Sequence, residues 1–102
     1  MSVITVTKEN FETEILKTTK TVLLDFWASW CGPCQMVSPT VDIIADENPQ
    51  YTVGKVNVDE QPELAAAFKI ESIPTLVVMN NGKISNISVG VKTKEQILDM
   101  LK

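Results

Sequence analysis

The chain is expected to form an α/β fold, a central mixed sheet of about five strands flanked by about four helices. Three observations point there. Strand-like and helix-like stretches alternate along most of the chain. The run Val22-Leu23-Leu24-Asp25-Phe26-Trp27 is almost continuously apolar, as in a strand covered on both faces. An asparagine-glycine pair near the end, Asn81-Gly82, marks a tight hairpin and so an antiparallel edge to an otherwise crossover-connected sheet.

Val3 to Val6 reads as the first strand. Lys8 to Lys17 then places Phe11, Ile15 and Leu16 on one helical face, with Thr7 as its cap. After the Val22–Trp27 strand, Met36, Val37, Val41, Ile44 and Ala45 recur at helical spacing until Pro49 closes the segment. Pro39 falls inside that pattern and cannot donate to the carbonyl of Gln35, so a kink is expected there. Thr52 to Val58 is a strand in a β-branched context, with Val53, Val56 and Val58 inward. Pro62 to Phe68 makes a short helix with proline in its first turn. Thr75 to Met79 and Ile84 to Val89 form the hairpin arms. Thr93-Lys94-Glu95-Gln96 has capping-box spacing and opens a last helix with Ile97, Leu98 and Leu101 inward.

With 102 residues and 44% hydrophobic content, residues 1–102 are expected to be a single domain. No repeat and no linker-like stretch divides them. The net charge is −4, and all nine basic residues are lysine, scattered along the chain. An acidic chain without arginine lacks the bidentate fork used on phosphates and base edges, which argues against nucleic-acid binding. No apolar run approaches the ~20 residues that span a bilayer, so no membrane association is expected. Met1-Ser2 leads into Val3-Ile4-Thr5-Val6 without a basic segment and signal-type apolar stretch, and the expectation is a cytoplasmic protein.

The chemistry is concentrated in Trp30-Cys31-Gly32-Pro33-Cys34, which holds both cysteines of the chain. Two intervening residues put the sulfurs one helical turn apart, within reach of a disulfide. A helix beginning here would place Cys31 at its amino end, where unpaired N–H groups and the helix dipole stabilise a thiolate. A thiolate is the nucleophile of disulfide exchange, and a second sulfur can resolve the intermediate. Buried inert thiols and half of a zinc site are the alternatives. A structural zinc usually takes four Cys or His ligands, and this chain has two cysteines and no histidine, so carboxylates or a second subunit would have to complete it. Redox chemistry is the favoured reading, with Cys31 exposed and attacking, Cys34 resolving, and Gly32 and Pro33 shaping the turn between them.

Asp25 interrupts a buried strand, where a lone carboxylate costs several kcal/mol unless neutralised or paired. Lys55, on the following strand, is the basic side chain that could pair with it.

The segment Asp25-Phe26-Trp27-Ala28-Ser29-Trp30-Cys31-Gly32-Pro33-Cys34, followed by Pro39, Lys55, Val58-Asp59, Ile73-Pro74-Thr75, Asn81-Gly82 and Val89-Gly90, resembles the thioredoxin family over nearly the whole chain. The resemblance implies a thioredoxin fold and protein-disulfide reduction through a mixed disulfide. It implies that Asp25 lies beneath the cysteines and moves a proton for the inner thiol, that Lys55 tunes it, and that Pro33 favours reducing character. It implies a cis peptide before Pro74 facing the disulfide, and a substrate-docking patch of Trp30, Gly32, Pro33, Ile73, Gly90 and Val91, with Trp27 mainly packing beside the site. It also implies a monomer without a bound cofactor, disulfide-containing protein substrates, and electrons from NADPH through a flavin-dependent thioredoxin reductase. An oxidase or isomerase is the redox rival, though those relatives commonly carry histidine before the second cysteine. A pure binding module is the rival from another class, and it would survive loss of both cysteines. Three positions depart from the pattern: Gln35 where many members have lysine, Glu71 beside the docking lip, and Met79 in place of a commoner aromatic.

Overall fold

The computed structural model describes residues 3–102; Met1-Ser2, which entered the expectation of a leaderless start, lies outside the described residues. The elements run β1 (Val3–Thr5), a π-helical turn (Glu12–Leu16), β2 (Thr21–Trp27), α1 (Gly32–Glu47), β3 (Tyr51–Asn57), α2 (Pro62–Ala67), β4 (Thr75–Asn80), β5 (Lys83–Val89) and α3 (Lys94–Leu101). They build a five-stranded sheet in the order β1-β3-β2-β4-β5. Strands β1, β3 and β2 are parallel, whereas β4 runs antiparallel to β2 and β5 antiparallel to β4. The mixed α/β architecture expected from the alternation is the one observed.

The near-continuous hydrophobicity of β2 follows from its place at the middle of the sheet. Leu23 points to one face, into a core shared with Val37, Val41, Ile44 and Ala45 of α1 and Ile97 and Leu101 of α3. Val22, Leu24 and Phe26 point to the other, against Ile15 and Leu64. Because side chains alternate along a strand, Asp25 shares the α1 face with Leu23. Gly54 of β3 has no room for a side chain: a Cβ there would lie 2.5 Å from Val6 Cγ2. The β4–β5 loop is a two-residue turn in which Asn81 and Gly82 both take positive φ, 54° and 77°, as a type I′ hairpin requires.

The capping box at the last helix forms: Thr93 Oγ1 accepts from the Gln96 N–H (3.1 Å) while Gln96 Oε1 accepts from the Thr93 N–H (2.9 Å). Thr7 and Asn10 make a similar reciprocal pair around the turn of residues 8–10, but the helix expected from Lys8 does not start there: the helical turn begins at Glu12, after an N-cap Phe11 without a side-chain capping bond.

Two apolar residues expected inside are exposed instead. Leu16 closes a π-type turn in which Lys17 N–H reaches back to Glu12 O; as the immediate neighbour of Ile15 it projects well round the helix from the face that buries Ile15. Met36 lies about 100° around the helix from Val37, outside the stripe of Cys34, Val37, Val41, Ile44 and Ala45 that faces the sheet. Pro39 is accommodated within α1, which continues as one helix to Glu47. Among the described residues, no helix is long and apolar enough to cross a membrane.

Candidate redox site

The loop after β2 delivers Cys31 to the N-cap of α1, and Cys34 follows one turn later. Cys31 has extended backbone angles (φ −92°, ψ 108°), and its sulfur accepts a hydrogen bond from the Cys34 N–H at 3.1 Å. A cysteine sulfur thus stands where Ser, Thr, Asp or Asn usually closes a helix start. Pro33, in the first turn, adds no further donor that would need a partner. The two cysteines are joined in a disulfide, with their Cα atoms 5.3 Å apart.

Cys31 was expected to be exposed; it is 4% exposed, barely more than Cys34 at 2%. Ala28, Trp27, Val58 and Ile73 pack around the pair, and the Ile73 carbonyl oxygen lies 3.8 Å from Cys31 Sγ. The sulfurs are therefore distinguished less by exposure than by the helix terminus. Only Cys31 receives the N–H of the first turn, and that bond strengthens when the sulfur is a thiolate.

Trp30, Gly32 and Pro33 adjoin the cysteines along the chain, and Ile73 packs against them. Trp30 is 70% exposed, and its Nε1–H donates to Asp59 Oδ2 at 2.8 Å, which sets the ring's orientation. Gly32, Pro33 and Val91 are exposed, while Ile73 and Gly90 are half-buried. The Ile73–Pro74 peptide is cis. Pro74 itself is buried, and its carbonyl accepts from the Gly90 N–H (2.8 Å), tying the segment before β4 to the end of β5. A pocket of about 230 Å³ opens beside the site between Trp27, Ala28, Ser29, Cys34, Gln35 and Ser38. Gln35, the departure from lysine, donates to the Ser29 carbonyl across this pocket (3.4 Å).

Asp25 is fully buried, and neither carboxylate oxygen has a hydrogen-bond partner. Burial pushes its pKa up to about 6; the Lys55 ammonium opposes the shift and the Asp42 carboxylate adds to it. Lys55 neighbours Asp25 and bears on its charge, but no direct ion pair forms between them. The two residues are register partners on β3 and β2, yet the ammonium turns to Asp42 Oδ1 (2.8 Å) and to Ser38 Oγ. Physically, the ammonium finds two ready acceptors one turn apart on α1, one of them half-exposed, instead of a buried carboxylate whose neutral form the site favours. Ser38 and Asp42 were not singled out from the sequence. Their i, i+4 spacing gives them a common helix face, but that spacing alone does not say which strand residue the face meets.

Among the described residues, no three His, Cys, Asp or Glu side chains come together as a possible metal site.

Comparison with known proteins agrees with this geometry. The family model described as Thioredoxin matches residues 2–102. The chain is 46% identical to the thioredoxin of Chlorobaculum thiosulfatiphilum over 92 residues, covering 89% of this chain and 85% of that protein. It is 42% identical to the thioredoxin of Acidithiobacillus ferridurans over 101 residues, covering 98% and 94% of the two chains. The thioredoxin of Streptomyces clavuligerus is 42% identical over 93 residues, with 91% and 87% covered. With a cysteine pair closing one helix start and a family model matched across residues 2–102, the chain belongs to the thioredoxin family and is a dithiol–disulfide oxidoreductase.

Proposed function

We propose that this protein works as a monomeric, cytoplasmic reductant of protein disulfides, recharged by a flavin-dependent thioredoxin reductase with electrons from NADPH. The observation that carries the reading is the 3.1 Å bond from the Cys34 N–H to the Cys31 sulfur at the N-terminus of α1. It favours Cys31 as the sulfur that holds negative charge.

In the reduced protein, the Cys31 thiolate attacks one sulfur of the substrate disulfide. A Cys31–substrate disulfide forms, and the substrate's other sulfur leaves as a thiolate that takes a proton from solvent. Cys34 then gives its thiol proton to the Asp25 carboxylate and attacks Cys31 Sγ. The substrate's second sulfur departs as a thiolate and is protonated in turn. The substrate gains two electrons and two protons, and Cys31 and Cys34 end as the disulfide. An Asp25 pKa near 6 suits a group that must both take and return a proton near neutrality. Lys55 tunes that value. Trp30, Gly32, Pro33, Ile73, Gly90 and Val91 offer a flat, mainly apolar surface for partner proteins, with Pro74 behind it, and the Ile73 backbone is the edge against which an extended substrate segment lies.

The test is insulin reduction, first with dithiothreitol and then with NADPH and a flavin-dependent thioredoxin reductase. The protein should accelerate precipitation of the insulin B chain in both. No acceleration over dithiothreitol alone would refute the reductant role. Acceleration with dithiothreitol but no NADPH consumption in the second format would refute the recharging route only.

A further inference from the structure

Lys55 and Asp25 are neighbours in register on β3 and β2, on the same face of the sheet, yet the positive charge is not spent on the buried carboxyl. Lys55 Nζ is held by Asp42 Oδ1 at 2.8 Å, by Ser38 Oγ and, more loosely, by the Ser38 carbonyl at 3.5 Å. All three acceptors come from two positions one turn apart on α1. The Lys55 side chain is only 17% exposed, so little room is left for it to wander. Meanwhile both Asp25 oxygens are buried and without any donor.

We propose that Ser38 and Asp42 are positioning residues of the redox site, an anchor on α1 that keeps the Lys55 ammonium off the Asp25 carboxyl and so preserves Asp25 as an exchangeable proton carrier. This rests on the role assigned above to Asp25. Without the anchor, the flexible lysine stem would carry its ammonium to the nearest unpartnered carboxylate. A direct ion pair would then hold Asp25 ionised and weaken it as a base, so that it takes the Cys34 proton poorly and seldom carries one to return.

The surroundings leave few other charges to do this. From β4, the register partner of Asp25 is the apolar Leu76. On α3, Lys94 is committed to Glu47 of α1 and Lys102 to Asp99, and Glu95 is exposed. On α1, Asp46 is exposed, and the remaining titratable groups on the site side are the two cysteines. With Asp42 half-exposed to solvent, the Lys55–Asp42 pair contributes little to stability by itself. Its consequence is to be sought in the titration of Asp25.

The direct test follows the carbon-13 carboxyl resonance of Asp25 against pH in the oxidised protein, using Asp25→Asn to assign it. Asp42→Asn should lower the midpoint by about half a unit to one unit, and Ser38→Ala should lower it by less. In a Lys55→Met background, the effect of Asp42→Asn should shrink to under about half, because only the direct field of Asp42 remains. An unmoved midpoint in Asp42→Asn, or an equal drop with and without Lys55, would overturn the anchor. The pH profile of insulin reduction separates this from failure of the underlying reading. If Asp25→Asn keeps the wild-type profile, Asp25 carries no proton in turnover, and the catalytic meaning of the anchor falls even where the resonance shifts as expected. If Asp25→Asn loses the limb near pH 6 and Asp42→Asn moves that limb to lower pH, both stand.

Discussion

Replacing Asp25 by asparagine should stabilise the protein, and by an amount that depends on pH in a definite direction. The carboxyl is fully buried, and its pKa rises from 3.8 to about 6 on folding, chiefly through burial. The shift is roughly two units, and each unit is about 1.4 kcal/mol, so ionising Asp25 in the folded protein costs about 3 kcal/mol relative to the unfolded chain. Between these two values the folded state holds a proton that the unfolded state has released. Stability contributed by the neutral carboxyl is therefore full below pH 3.8 and lost as pH rises through about 6. Asparagine keeps the shape and never ionises. Urea denaturation of the oxidised protein should show Asp25→Asn more stable than wild type by about 3 kcal/mol at pH 8, with little gain at pH 4. The comparison between the two pH values removes any fixed cost of burying the amide. An equal gain at both, or none at pH 8, would refute the assignment of the strain to a buried negative charge.

Three further outcomes follow from the site and the sheet. Cys34→Ser, offered a protein disulfide, should accumulate a mixed disulfide through Cys31 that mass spectrometry detects, whereas Cys31→Ser should accumulate little; trapping through Cys34 would reverse the roles. Gln35→Lys places a cation near the start of α1 and should stabilise the Cys31 thiolate by under ~1 kcal/mol, a shift of less than one unit that added salt weakens in a thiol-alkylation pH profile. Gly54→Ala forces a Cβ to within 2.5 Å of Val6 Cγ2 and should destabilise the protein by ~1–3 kcal/mol in thermal or urea unfolding; a neutral result would mean that β1 and β3 separate freely.

What could be read from the chain was local. The capping box at Thr93–Gln96, the Asn81-Gly82 turn and the doubly covered β2 depend on residues within a few positions of one another, and all formed as their chemistry dictates. The cysteine motif belongs to the same class, because a helix start and its cap are neighbours in sequence. The misreadings came from contacts that spacing does not encode. Cys31 is covered by a loop whose Ile73 is 42 positions away, and Lys55 is claimed by Ser38, 17 positions earlier, over its own register partner. Leu16 is exposed for a different reason: adjacent helical residues cannot share one narrow buried face, and that face is taken by Ile15.

The use of Cys31 as the cap of α1 has a reciprocal side. Whatever the helix start contributes to holding charge on that sulfur, the charge returns to the helix start, since a single interaction cannot favour one partner alone. Reduction thus alters more than a bond between two residues. It exchanges a neutral cap for a charged one and tightens the first turn of the element that also carries Ser38 and Asp42. Electron content and helix order are linked variables in this protein. Changes that fray the α1 start, even well away from the sulfurs, should destabilise the reduced form and so make the couple a stronger electron donor, and hydrogen exchange at the first turn should slow when the disulfide is opened.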